Sequence, residues 1–258
     1  MAKIVVKSAS DIEKMRAAGR LVGETLREVG KLIRPGVTTG ALDEFANAFI
    51  RGRGAVPSFY RYRAGGPPYP KSVCVSVNEQ VIHGIPGRRV LADGDIVSVD
   101  VGALLGGFHG DAARTFACGD VSPDAARLIA VTRECFFAGA NRAREGCHAG
   151  DIGAAVEERA ARDGFSVVRD YIGHGVGASL HEAPEIPNYR TAKRGAAFRR
   201  GMTIAVEPMV NAGGGEVDLL DDGWTVVTSD GSLSAHYENT ILITDGEPEF
   251  LTLLEGEV

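Results

Sequence analysis

Twice in this chain an otherwise apolar strand ends in a carboxylate. Residues 94–100 read Gly-Asp-Ile-Val-Ser-Val-Asp and residues 201–207 read Gly-Met-Thr-Ile-Ala-Val-Glu, so a glycine is followed at its sixth position by Asp100 in one and by Glu207 in the other. Charge in a strand that reads as buried is costly unless it is paired or bound to a cation. The fold must therefore bring both acids to a counter-charge or keep them protonated. The similarity of the two segments also points to an internal repeat, in which two related halves aim equivalent acids at one centre.

The order of elements fits such a repeat. Ser10 and Glu13 have the spacing of a capping box, after which Ile12, Met15, Val22, Leu26, Val29 and Ile33 recur at three- and four-residue steps until Pro35-Gly36. A second helix is expected from about Thr39 to Arg51, with Leu42, Phe45, Phe49 and Ile50 on one face and Gly52 and Gly54 at its end. Val-rich strands follow at 73–77, 95–104 and 108–118. Ser122-Pro123 opens a helix to about Glu145, and another is expected over 151–163, with strands from there to the end. This is the order of an α+β domain. Residues 1–258 are expected to form one domain, with halves at roughly 10–120 and 121–250.

Composition excludes several classes. Of 258 residues, 44% are apolar and 24% charged, the balance of a globular chain with a sizeable core. No stretch approaches the ~20 apolar residues of a spanning helix, and the start MAKIVVKSAS lacks an apolar export segment, so a cytoplasmic chain with no membrane partner is expected. A net charge of -6 with scattered Lys and Arg offers no stripe for a phosphate backbone, so no nucleic-acid partner is expected. Cys74, Cys118, Cys135 and Cys147 form no C-x-x-C pair, which indicates neither a zinc knuckle nor a disulfide framework. Nothing in the pattern calls for an obligate partner, and a monomer is expected.

Asp100 and Asp111 flank the turn Leu105-Gly106-Gly107. A hairpin folded about Leu105 and Gly106 sets the two acids directly opposite each other, ~5 Å apart. Like charges so placed need a cation between them, a raised pKa or a Lys or Arg partner, and the hairpin alone leaves these open. Glu207 precedes Pro208, and Glu238 lies in the apolar strand 235–243. His174 stands among the glycines of Tyr171-Ile172-Gly173-His174-Gly175-Val176-Gly177, where backbone can approach a ligand closely. Four carboxylates and one imidazole balance two divalent ions and suit Mn, Fe, Co or Zn.

These residues resemble a known family. VNEQVIHGIP around His83, DVGALLGGFHGD from Asp100 to Asp111, GHGVGASLHE from His174, MTIAVEPMV around Glu207 and HYENT around Glu238 are similar to the five signature segments of type I methionine aminopeptidases. Order and spacing match from Ser8 to Leu254. The resemblance implies the pita-bread fold, two pseudo-symmetric αβ halves around a central antiparallel sheet. It implies that Asp100 ligates one metal, that His174 and Glu207 ligate the other, and that Asp111 and Glu238 bridge both. Water activated there would attack the first peptide carbonyl, one metal also taking the free α-amine. Glu207 would carry the proton, and His83 and His181 would donate hydrogen bonds without being essential ligands.

By position, the resemblance suggests Phe59, Tyr62, Tyr69, Cys74, Leu180 and Trp224 as the lining of a pocket for an unbranched thioether side chain. The stretch YRYRAGGPPYP over residues 60–70 is longer than the family's usual segment, and Leu180 stands where many members carry an aromatic residue. The substrates implied are peptides and nascent chains with an N-terminal methionine and a small second residue. An Xaa-Pro peptidase of the same fold is the nearest alternative, but such enzymes carry a further N-terminal domain for which a helix starting by Ser10 leaves no room. A metal-free peptide-binding relative would have lost ligands, and all five are present here. Of the other histidines, His109 has no assigned role, His148 is expected beside a helix cap, and His236, two residues before Glu238 on the same face, is expected either to support the ligands from behind or, in preference, to pack.

Overall fold

A computed structural model describes residues 3–256. The first helix, α1 (Ala9–Gly30), starts at a reciprocal cap between Ser8 and Asp11, two residues before the pair expected at Ser10 and Glu13. Ser8 is the last residue with extended backbone, so its hydroxyl is the one that can reach a free N–H of the first turn. α2 (Thr39–Gly52) is capped by Thr38, and α3 (Pro123–Ala140) by Ser122 with proline in its first turn. α3 ends at Ala140, short of Glu145, because residues 141–148 form a link into α4 (Ala149–Arg162).

That link reveals the repeat. Residues 31–40, joining α1 to α2, and 141–150, joining α3 to α4, follow the same course of turns. Gly36 and Gly146 both take positive φ, 89° and 84°. Gly40 N–H donates to the Gly87 carbonyl and Gly150 N–H to the Arg194 carbonyl, each at 2.8 Å. A Cβ on either glycine would come within 3.0 Å of that same carbonyl oxygen, so both positions need the close approach that glycine allows. Each half therefore hangs its helix pair on its sheet by the same device.

The strands form the centre. In the first half, Ile96–Leu105 pairs with Phe108–Ala117 on one side and with Val56–Pro57 and Cys74–Val77 on the other. In the second half the strand order is Glu249–Phe250, Asn239–Leu242, Thr203–Val206, Gly173–Gly175, Glu182–Ile186. All these pairings are antiparallel. The halves join where Ala113 and Glu238 exchange backbone hydrogen bonds (3.3 and 2.9 Å) and the Thr240 hydroxyl bridges the N–H and carbonyl of Asp111 (3.0 and 2.8 Å). Separate apolar clusters pack on the outer side of each half, one around Leu26, Leu42 and Val99 and one around Leu128, Phe136 and Ile204.

The hairpin departs from its expected register. Leu105 pairs with Phe108 across Gly106 and Gly107, both with positive φ (61° and 86°), so Asp100 faces Ala113 and Asp111 faces Gly102. Two successive left-handed residues make a two-residue turn, which moves the fold point one residue along the chain. Asp100 and Asp111 keep to one face but lie on a diagonal, at the ~7 Å spacing of such neighbours.

α1 crosses this hairpin and the C-terminal strand at very short range. A Cβ on Gly19 would lie 2.3 Å from the Leu251 carbonyl oxygen, and one on Gly110 would lie 2.9 Å from the Gly19 backbone. Gly19→Ala is expected to destabilise the fold by about 1–3 kcal/mol through overpacking. Urea unfolding reads this directly, and a midpoint equal to that of the parent would contradict such close seating of α1.

Candidate metal centre

Two neighbouring rows of the joined sheet build the site. The first runs Cys74, Asp100, Ala113 and Glu238. Asn239 pairs with Val206, and one step further along the same register Glu207 lies opposite Glu238. The second row runs Gly102, Asp111, Thr240 and Ala205, and one step beyond the Gly175–Ile204 pair it reaches His174. Side chains two apart on a strand share a face, so all five groups rise from one surface. Gly102, Ala113 and Ala205 are the small floor between them.

The five are mostly buried: Asp111 and Glu238 are 3% and 2% exposed. His174 Nε2 lies 3.4 Å from Glu207 Oε1 and 3.9 Å from Asp111 Oδ2. Asp100 Oδ1, Asp111 Oδ1, Glu207 Oε1 and Glu238 Oε1 are buried with no protein hydrogen-bond partner. Desolvation pushes the Asp100 carboxyl up to about 8. Burial first, and neighbouring carboxylates next, hold Asp111, Glu207 and Glu238 well above the ordinary range. Burial lowers His174 to about 3, and His83 and His181 to about 4. Orphaned carboxylate oxygens beside a neutral imidazole are the donor set of a hard or borderline divalent cation, and the residues present fit one. Two sets bring one ligand atom per residue within 4.8 Å of one another: Asp111, His174 and Glu238, and Asp100, His236 and Glu238.

A cavity of about 270 Å³ opens on this face. Phe59, Tyr62, Tyr69, Cys74 and Trp224 line it together with His83, His181 and the five groups above. Tyr69 packs edge-on against Trp224 at 5.2 Å and donates from its hydroxyl to the Gly84 carbonyl at 2.9 Å. Trp224 Nε1–H donates to the Pro67 carbonyl at 3.1 Å, which ties the long 60–70 stretch to the wall. Leu180 packs in the apolar cluster behind Phe59, Tyr69, Cys74 and Trp224 and does not line the cavity. His83 has positive φ, 58°, and its ring stands edge-on to Tyr171 and Trp224. The His181 ring lies 4.1 Å from that of His174, and its Nδ1 is 2.7 Å from the Tyr62 hydroxyl.

Sequence reading missed several groups here. Tyr171 lines the cavity, three residues before His174 in a segment already singled out. His109, left without a role, bonds through Nδ1 to the Ser58 hydroxyl at 2.8 Å. Lys7, 6% exposed, reaches Glu182 at 2.8 Å and so braces the turn that carries His181. No local pattern marks that pair, because its partners are far apart in the chain. His236, for which packing is the preferred expectation over a supporting role beside Glu238, is drawn into the carboxylate cluster.

Comparison with known proteins agrees with this architecture. The model of metallopeptidase family M24 matches residues 13–245. Methionine aminopeptidase of Clostridium acetobutylicum is 52% identical over 253 residues, spanning 98% of this chain and 100% of the relative. The Escherichia coli K12 enzyme of that name is 44% identical over 256 residues, 98% and 96% of the two chains. The crystal structure of methionine aminopeptidase from Rickettsia prowazekii superposes with a TM-score of 0.94 at 42% identity, covering 97% of this chain and all of the other. An Xaa-Pro dipeptidase from Bacillus anthracis, 22% identical and covered over 63% of its length, shares the fold at a TM-score of 0.76. A pita-bread metallopeptidase is thus the class that fold and site define. The chain belongs to metallopeptidase family M24 and, within it, to the methionine aminopeptidases.

The titration of the cluster sets a pH dependence for the metal-free protein. A carboxyl raised on folding stabilises the fold fully below its unfolded value of ~4, and that stabilisation is lost as pH rises through the folded value, about 8 for Asp100. The buried histidines act in the opposite sense, contributing fully above ~6.5 and losing it toward acid. Between pH 6.5 and 8, therefore, the carboxylates dominate, and stability of chelator-treated protein should fall as pH rises. A divalent ion that binds the ionised carboxylates should restore more at the upper end. Thermal melts with and without Mn across this window test both, and a flat metal-free Tm or a metal gain that shrinks with pH contradicts the cluster's charge state.

Proposed function

We propose that this chain removes N-terminal methionine from peptides and nascent proteins whose second residue is small, using two divalent ions held by Asp100, Asp111, His174, Glu207 and Glu238. When bound, such ions supply Lewis acidity that polarises the scissile carbonyl and makes water a nucleophile near neutral pH. Asp111 and Glu238, on adjoining strands at the seam of the halves, would be shared by both ions. Asp100 would hold the ion on one side, and His174 and Glu207 the ion on the other. Mn, Fe, Co and Zn all suit these donors.

The observation that carries the reading is the continuity of the cavity with the carboxylate face. Cys74 in the apolar wall is the direct strand neighbour of Asp100, so a side chain seated beside it lays its own backbone over the acids. The cavity, about 270 Å³ in all, spans the space over the acids and leaves room for one unbranched side chain against Tyr69 and Trp224. Glu207, its Oε1 free of protein donors, takes the proton of the attacking water and passes it to the leaving amine. Burial raises the Tyr62 hydroxyl above its usual value, so it keeps its proton and can donate to Nδ1 of His181, 2.7 Å away, in the tautomer with hydrogen on Nε2. His181 then presents Nε2–H to the developing oxyanion, and His83 donates to the same amide from across the cavity. The site's five groups are complete within one chain, and the reading takes that chain as the active unit. A cytoplasmic setting, where nascent chains present their first residue, accompanies the reading.

Chelator-treated protein reloaded with Mn or Co should release methionine from Met-Ala-Ser and leave Ala-Pro peptides intact. Cleavage of the Ala-Pro bond instead would turn the assignment to the Xaa-Pro relatives, and activity on neither with any divalent ion would leave only peptide binding. Glu207→Gln should lower turnover by a factor on the order of 10² or more, and near-normal turnover would remove Glu207 from proton transfer.

A further inference from the structure

His236 lies outside the five groups that family resemblance implies as ligands, yet it is 2% exposed and its Nε2 is buried with no protein partner. An unsatisfied imidazole nitrogen in the core costs about 1–3 kcal/mol, so plain packing is a poor account of it. Its place is fixed from both sides of the backbone: the Thr115 hydroxyl accepts from the His236 N–H at 2.8 Å and donates to its carbonyl at 2.9 Å. Thus held, Nε2 stands 3.9 Å from Glu238 Oε2 and belongs with Asp100 to a set whose ligand atoms all lie within 4.8 Å. That spacing exceeds a hydrogen bond. It is close to the span of two ligands on one ion, since nitrogen and oxygen each lie ~2.1 Å from such a metal. His174 Nε2 stands at the same 3.9 Å from Asp111 Oδ2 across the centre.

We infer that His236 is a sixth protein ligand, binding through Nε2 the divalent ion on the Asp100 side. The assignment rests on the two-ion reading above. It gives each ion one imidazole, His174 beside Glu207 and His236 beside Asp100, with Glu238 common to both sets. A nitrogen donor on the Asp100 side also shifts that ion's preference from Mn toward Co or Zn.

The test is X-ray absorption on protein loaded with cobalt to the stoichiometry found by calorimetric titration, which counts imidazole scattering per cobalt. The parent should take two cobalts and show one imidazole for each. His236→Gln, loaded to the same content, should show half as much. A two-cobalt parent with half an imidazole per ion, or a His236→Gln protein with an unchanged count, overturns the ligand assignment and leaves two-ion binding intact. A parent that binds a single cobalt overturns the two-ion reading and this assignment with it. The parent measurement needs no variant, so it decides the matter even where His236→Gln does not fold.

Discussion

Four carboxylates stand on one face of one sheet, stripped of most of their water and close enough to repel. Asp100, Glu238 and Glu207 share a cross-sheet row and Asp111 sits in the next, so no rotation of one side chain separates them all. In a medium of reduced dielectric that repulsion is met either by protons or by cations. The raised carboxyls show the first solution, and the orphaned oxygens show that the geometry is built for the second. Much of the local sequence follows from this. Ala113 between Asp100 and Glu238 and Gly102 opposite Asp111 keep the floor clear, and a Cβ on Gly102 would press to 2.8 Å from that of Ser58.

Such a centre requires strands that do not yield to the repulsion. The duplicated architecture supplies them: each half buries its own apolar cluster against its own helix pair, so the seam is loaded by two cores rather than one. Polar contacts then lock the seam itself. Thr240 clasps both backbone groups of Asp111, while Arg114 donates to the Glu238 carbonyl and to Asn239 Oδ1 with its guanidinium 4.3 Å from the Tyr237 ring centre. Ligands fixed in this way lose little entropy when an ion arrives, which is the general advantage of preorganised sites.

How far these features were legible in the sequence depends on how local their causes are. Helix starts at Thr39 and Pro123 follow from side chains within one turn, although at α1 a second Ser with an acid three residues on won the cap. The carboxylates that close apolar strands were legible because burial of charge is an anomaly whatever the fold. The hairpin register was not, since it turned on whether Gly106 and Gly107 together would adopt left-handed backbone. Leu180 was placed by position in a resemblance and His236 by period-two alternation, and neither gives what lies across the sheet from a residue. Leu180 backs the cavity wall, and His236 reaches the cluster through pairing with Met209 from a different part of the chain.

The same geometry argues for action at a chain end. The cavity of about 270 Å³ takes in both the carboxylate face and an apolar wall of Phe59, Tyr69, Cys74 and Trp224, in which Tyr69 and Trp224 are nearly buried and pinned by hydrogen bonds. Divalent ions held by the acids would take the lone pair of a free amine, which an amide nitrogen does not offer. Apolar contact alone separates side chains that differ by one methylene by only ~1–3 kcal/mol. Stringency for the first residue therefore has to come jointly from the rigid aromatic wall and from recognition of the free amine.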